Sequence, residues 1–367
     1  ATVTAKLGLR KPAPADNVDV DLDIAQNMQK IDDGFAGIVA AFRNVIRNGD
    51  MGVAQRGGGA VNTSGSRTID GWLMTFSGGA NQHLRNALAV GSALTEAAWV
   101  LHIDITGQAA AGDFFYMAHA IENVRTLAGK QVTLSFLAKA TAGTPKIGIE
   151  IVQNFGSGGA PSAVVNTAIS AVTISAILTR YSVTFTIPSI SGKSLGTNND
   201  DSVSIFLWMS SGSTNAARAS NIGIQNSSFD VTDVQLEEGS VATAFERLPQ
   251  QVQLAWCQRY FYRWTSEVSN IGFLVGQATS TTGAGILVNF PVKMRAAPTF
   301  SSSGAGSFFL LNSTGGGITM SNISLQASQK SLAVISCGLP GASLTAGNAT
   351  MFGSGSTTAV LDFSAEL

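Results

Sequence analysis

Val132, Leu134, Phe136 and Ala138 alternate along the chain with Thr133, Ser135, Leu137 and Lys139. Alternation of this kind sends every second side chain to one side of an extended strand, and so commits the segment to a sheet with one core face. Tyr181, Val183, Phe185 and Ile187 repeat the pattern against Ser182, Thr184 and Thr186. Val203, Ile205, Leu207 and Met209 repeat it against Ser204, Phe206, Trp208 and Ser210. Gly/Ser/Asn loops such as residues 156–159 and 192–201 divide these runs, which predicts an antiparallel sandwich of jelly-roll type over residues 48–247. Its last strand carries a slip. Phe229 and Val231 alternate with polar neighbours, but Val234 and Leu236 resume one residue out of phase, as a β-bulge produces.

The flanking segments read differently. Residues 1–47 begin with an arm bearing Lys6, Arg10, Lys11, Pro12 and Pro14. Ile24, Met28, Ile31, Phe35, Ile38 and Phe42 then recur at spacings of 4, 3, 4, 3 and 4. That is the seam of a short coiled coil, or the apolar face of a lone amphipathic helix. Gly34 and Gly37 each weaken such a helix by roughly 1 kcal/mol, so self-association or docking must stabilise it. Residues 248–266 form a connector: Pro249 can open a short helix to Tyr260, with Val252, Ala255 and Trp256 on one face and Phe261 just beyond. Residues 267–367 are a second β unit, with strand cores at Phe273 and Val275, at Ile286, Val288 and Phe290, and at Leu332, Val334 and Ile335. The fold class is all-β: a helical N-terminal anchor, a jelly-roll-type sandwich and a C-terminal β-sandwich tip.

Composition removes several function classes. A net charge of −1 with 12% charged residues gives no field for polyphosphate, so nucleic acid is not an expected partner. Mean hydropathy is +0.22, yet the uncharged run of residues 162–179 is broken throughout by Ser, Thr and Asn, so no membrane insertion is expected. High apolarity with few charges instead suggests surface covered between subunits. Residues 1–10 lack the apolar core of a secretory leader. Cys257 and Cys337 fall in different units and read as buried thiols. His83, His102 and His119 lack the spacing of a zinc site, and no phosphate loop or nucleophile elbow is present, so neither cofactor nor enzymatic activity is expected. His102 and Asp104 share one strand face, where a satisfied surface pair competes with acid/base work.

The succession Asp233, Val234, Gln235, Leu236, Glu237, Gly239, Thr243, Phe245, Glu246 and Arg247, then Cys257, Gln258, Arg259, Tyr260, Tyr262 and Arg263, resembles a segment of bacteriophage tail fibre proteins. There it ends a carbohydrate-binding-like β-sandwich. Gly49, Asp50, Val53, Gln55 and Arg56, the Asp70, Gly71, Trp72 group, and Gly129 and Lys130 with the strand that follows extend the likeness. So do Arg180, Tyr181, Thr184, Phe185, Ile187, Pro188 and Gly192. It spans residues 48–263, with Leu178 and the run His119, Ala120, Ile121, Glu122 as departures. Phe290, Pro291, Val292, Met294, Arg295, Pro298 and Thr299, with Phe363, Ala365, Glu366 and Leu367, resemble the distal domain of the same family. The resemblance implies a virion protein: a homotrimer attached through its N-terminal arm to a phage tail or baseplate protein, exposed to the medium and binding host surface polysaccharide. A glycan-cleaving tailspike and a spacer or decoration protein without receptor are the alternatives.

Sugars are gripped by aromatic faces flanked by hydrogen-bonding groups. Phe206, Trp208, Tyr262 and Trp264 are the candidate carbohydrate-binding residues, while Trp72 reads as a core anchor. Trp208 lies opposite a core face, where either a ligand or a neighbouring subunit would cover it. Receptor contact is expected in the distal loops 301–307, 312–317 and 346–356, near Phe308, Phe309 and Phe352. No metal is expected, although Asp50 with Asp233, or the loop Asn198, Asn199, Asp200 and Asp201, would offer oxygen ligands to calcium; the loop also reads as a self-capped turn.

Overall fold

The alternating runs become two five-stranded antiparallel sheets packed face to face. The computed structural model describes residues 42–89, 96–141, 143–266, 268–312 and 315–367, with residues 2, 3, 10, 11, 24 and 26–28. In chain order the strands are β1 (Trp72–Ser77), β2 (Ala80–Ala87), β3 (Trp99–Thr106), β4 (Phe114–Glu122), β5 (Gln131–Ala140), β6 (Lys146–Asn154), β7 (Val165–Thr173), β8 (Thr179–Thr186), β9 (Ser202–Ser211) and β10 (Ser228–Glu238). The first sheet runs β8-β5-β10-β3-β2 and the second β1-β4-β9-β6-β7. Trp72, Phe115, Phe136, Ile205 and Phe229 fill the space between them without solvent exposure. The expected jelly-roll-type sandwich is therefore present.

The slip in β10 is a bulge. Register shifts between Thr232 and Gln235, Asp233 takes φ 50°, and Val231 and Val234 both point into the core. The opening is filled by the incoming chain: Val234 N donates to Gly49 O at 2.9 Å, and Val45 N to Leu236 O at 3.1 Å. A Cβ on Gly49 would stand 2.1 Å from Val234 O, a backbone atom that cannot yield. Gly49→Ala is expected to cost about 2–3 kcal/mol in urea unfolding, and a loss below 0.5 kcal/mol would show that the bulge tolerates a shift. Strand β5 departs from the one-faced expectation, since Thr133 and Ser135 are buried as well. Residues 239–247 fold back over them: Thr133 Oγ1 donates to Gly239 O at 2.8 Å, and Arg180 reaches both Ser135 and Thr243.

Helix α1 (Gln250–Gln258) follows Pro249. Its buried face is Gln253 and Cys257, not the expected Val252 face; Val252 is exposed because Asp50 gives Gln253 Nε2 an acceptor at 3.0 Å. Strand β11 (Phe261–Thr265) then pairs with the last strand, β20 (Val360–Ser364), which ties residues expected in the connector to the second unit. Between them lie β12 (Ile271–Ala278), β13 (Gly283–Asn289), β14 (Thr299–Ser302), β15 (Phe308–Leu311), β16 (Gly317–Thr319), β17 (Asn322–Ser328), β18 (Leu332–Gly338) and β19 (Ala349–Ser354). A seven-stranded sheet, β16-β15-β19-β12-β13-β18-β17, packs with the three-stranded sheet β11-β20-β14. Two strand faces differ from expectation: Val275 is exposed, and β18 buries Ala333, Ile335 and Cys337 while Leu332 and Val334 stay half-buried.

Where the units meet, Glu366 faces Arg56, Arg67 and Arg47 at 3.2, 3.7 and 3.8 Å. Arg47 and Arg56 stack on Tyr260 and Phe261 at 3.7 and 3.4 Å. Gln55 bridges Asp70 and Phe261 O. Of the N-terminal seam, Ile24, Met28 and Phe42 are described and exposed, while Ile31, Phe35 and Ile38 lie outside the described residues. Thr2–Val3 pair with Arg10–Lys11.

Candidate functional site

The face of the β1-β4-β9-β6-β7 sheet turned away from the core is aromatic. Strand geometry puts Phe114, Tyr116 and Ala118 on one side of β4, and Phe206 and Trp208 on the same side of β9; Trp208 pairs with Tyr116 and Phe206 with Ala118. Phe114 stacks on Tyr116 at 5.6 Å, and Tyr116 lies 4.8 Å from both Phe206 and Trp208. Phe114, Tyr116 and Phe206 are half-buried, so ring surface remains accessible. A sandwich needs only its inner face for stability, and a second aromatic layer on the other side of the same strands requires another reason.

Trp208 itself is buried. Residues 212–225 fold onto the sheet, and Arg218 lies 5.4 Å over the Trp208 ring and 5.8 Å over Phe206. Glu150, fully buried on the same face, accepts from Trp208 Nε1 at 2.9 Å and from Arg218 Nε and Nη2 at 2.7 and 3.1 Å. Gly148, paired with Trp208 across the ladder, leaves the room that this loop takes: a Cβ there would meet Ala219 O at 2.3 Å. Trp208 thus fixes the loop and lines the floor, while Phe206 and Tyr116 present surface. Sequence reasoning named Phe206 and Trp208 and missed Phe114, Tyr116, Glu150 and Arg218. Gly148 within a strand, followed by one acid among Ile147, Ile149 and Ile151, was the available signal for a close backbone approach.

Tyr262 and Trp264 lie on β11, in the second unit. Tyr262 packs on Phe290 and Phe363, and Trp264 stacks flat on Phe273 at 3.5 Å, so both rings are engaged in that unit's packing. Phe308 and Phe352 are buried there too, and Phe309 fills the space beside Gly353. Residues 313 and 314 of the expected contact loops lie outside the described residues; the described remainder offers polar side chains without aromatic tips.

Asp50 and Asp233 do converge, but on a guanidinium. Arg247 Nη2 lies 3.0 and 2.8 Å from the two Asp233 oxygens, and Arg247 Nη1 lies 4.0 Å from Asp50. The arginine stands where a cation would. In the loop of Asn198, Asn199, Asp200 and Asp201, Asp200 accepts from Ser157 N at 2.7 Å and Asp201 from Val124 N at 2.8 Å, so these two carboxylates tie the loop to two other segments instead of capping their own turn. Among the described residues no cluster of three or more acids, histidines or cysteines could hold a metal ion.

His83 is buried between Thr68 and Ser66 hydroxyls, and burial pushes it down to about 4. Burial, then the charges of Arg47 and Arg67, hold His119 well below its ordinary value. The unfolded chain therefore binds more protons below about pH 6.5, and these two groups lose stability as pH falls from there. Asp70 opposes them. Burial pushes it up to about 6, so the folded state protonates first and gains stability as pH falls from 6. The His83 and Asp70 effects are each on the order of 3 kcal/mol. Asp70→Asn is expected to steepen the acid loss between pH 6.5 and 4, and His83→Gln to flatten it; an Asp70→Asn urea profile parallel to wild type would contradict this.

No family profile and no curated protein matches the chain. Among solved structures, a protein described as CBM4 is similar at 16% identity and a TM-score of 0.32, over 53% of this chain and 99% of that one. The enzymatically active domain of tailspike protein 4 of bacteriophage CBA120 is similar at 12% identity and 0.31, over 54% of this chain and 22% of that one. The N-terminal cellulose-binding domain of Cellulomonas fimi β-1,4-glucanase C is similar at 14% and 0.29, over 47% and 91%. Similarity of this size carries no function across.

Proposed function

We propose that this chain is a non-enzymatic, glycan-binding structural protein of the tail fibre kind, a homotrimer anchored at its N-terminus to a phage virion and contacting host surface polysaccharide. The observation that carries the reading is the partly open aromatic row Phe114, Tyr116 and Phe206 on a sheet face that the core does not use. Such a row offers π-faces to the apolar faces of successive sugars. The succession of residues resembling tail fibre proteins supports the virion role. Glu150, the carboxylate set among these rings, is engaged by three N–H donors and is not placed to protonate a glycosidic oxygen. The distal loops serve as a second, polar contact surface, and avidity from three copies offsets weak single sites.

Incubating the protein with host surface polysaccharide tests this: retention without release of oligosaccharide is expected, and released oligosaccharide would favour the tailspike alternative. A wild-type protein that sediments as a stable monomer would remove the trimeric stalk. In adsorption competition, the free protein is expected to block phage attachment, which a spacer would not do.

A further inference from the structure

On the outer side of the other sheet, five polar side chains form a connected line across three strands. Ser228 donates to Asp104, His102 Nε2 lies 3.2 Å from the second Asp104 oxygen, His102 Nδ1 lies 2.5 Å from Asp230, and Lys139 donates to Asp230 at 3.1 Å. Register explains the line: Ser228 pairs with Asp104, and Asp230 pairs with His102 on one side and Lys139 on the other. The Asp230 hydrogen bond holds His102 above its ordinary value. Burial would raise Asp230, but the bonds from His102 and Lys139 outweigh it. Isolated charges on an exposed sheet are solvated one by one and contribute little. A line this continuous has a different consequence: held by Ser228 on one oxygen and His102 on the other, the Asp104 carboxylate has a fixed direction.

That carboxylate opens on a pocket of about 440 Å³ at the corner where the chain crosses from β1 to β2. Gly78 and Gly79 turn the corner at φ 72° and 66°, and a Cβ on Gly79 would stand 2.3 Å from Thr106 O. The Val61–His83 bridge brings Asn62 beside Gln82, which pairs with Asp104. Phe76, stacked on Phe115 at 5.3 Å, lines the pocket with Asn62, Gln82, Asp104 and Thr106.

We propose that this corner pocket is a second sugar-contact site, taking a neutral pyranose whose neighbouring hydroxyls donate to Asp104 while Asn62, Gln82 and Thr106 bond the rest. It rests on the glycan-binding reading and names a ligand class for it. A fixed negative charge at the mouth disfavours sugars carrying carboxylate or sulfate. His102 acts here as a positioning residue: it does not line the pocket, and it holds the carboxylate that does.

The test is titration of the full chain with neutral polysaccharides (glucan, galactan, mannan, xylan) and with polygalacturonate. Wild type is expected to bind at least one neutral polymer and to bind polygalacturonate at least 10-fold more weakly. Asp104→Ala is expected to lose 10-fold or more in affinity and His102→Gln about 3-fold, with unchanged thermal midpoints. Asn62→Ala with Gln82→Ala, both at exposed positions, repeats the test if Asp104→Ala does not fold. Unchanged affinity in these variants on a polymer whose binding Phe206→Ala abolishes would overturn this site and leave the glycan reading standing. Equal or tighter binding of polygalacturonate would overturn the neutral preference. Wild type binding no polymer would overturn both.

Discussion

Arg218→Met is expected to lower the stability of the first sandwich by about 3 kcal/mol at pH 7. Glu150 is fully buried, and two of its three N–H donors belong to Arg218. Methionine keeps an aliphatic stem over the rings of Trp208 and Phe206 but removes the charge, leaving an anion away from water with one indole donor. Removing one partner of such a pair costs more than the pair itself contributes, because the survivor is uncompensated. The loss should largely disappear in the double variant Arg218→Met with Glu150→Gln, where no buried anion is left unpaired. Urea unfolding of the four proteins closes the cycle. A single-variant loss below 1 kcal/mol, or a double variant no better than the single, would mean that Arg218 is not what holds the loop of residues 212–225 to the sheet.

Glu366→Gln is expected to separate the two units thermally. Its carboxylate is nearly buried, and three guanidiniums from the first unit close on it. Burial already holds Arg67 below its ordinary value, with Glu366 the main charge opposing that shift. With glutamine in place, Asp70 still faces Arg56 at 3.8 Å, while Arg47 and Arg67 lose the carboxylate that they share. A destabilisation of about 3 kcal/mol at the seam follows. Calorimetry should show one transition in wild type and two in the variant, the second unit melting first. A single transition at the wild-type Tm would show that ring stacking on Tyr260 and Phe261 holds the seam without the ion cluster.

Much of the fold was legible because strands write a period of two. The β10 bulge showed in the sequence as Val234 and Leu236 falling out of phase with Phe229 and Val231, and the structure places the extra residue there. The same logic marked the outer side of β9 as carrying Phe206 and Trp208. It did not reach Phe114 and Tyr116, because Phe114, Phe115, Tyr116 and Met117 form a continuous apolar run with no alternation to assign faces. Glu150 and Arg218 are 68 residues apart, and nothing local to either announces the other. The helix face was misjudged because Gln253 is buried by a partner, Asp50, that lies 203 residues away. Asp50 and Asp233 were paired correctly in sequence, but the cation between them is a side chain, and local spacing cannot distinguish an arginine from a metal ion.

The most direct measurement of the central claim is the affinity of the full chain for host surface polysaccharide, compared between wild type and the double variant Tyr116→Ala with Phe206→Ala. Both rings stand on the outer face and outside the buried core, so the variant should fold with a Tm within a few degrees of wild type. Stacking of about 1 kcal/mol or more per ring predicts at least a 10-fold loss of affinity. A folded double variant that binds the polysaccharide as tightly as wild type would contradict the assignment of this face to glycan.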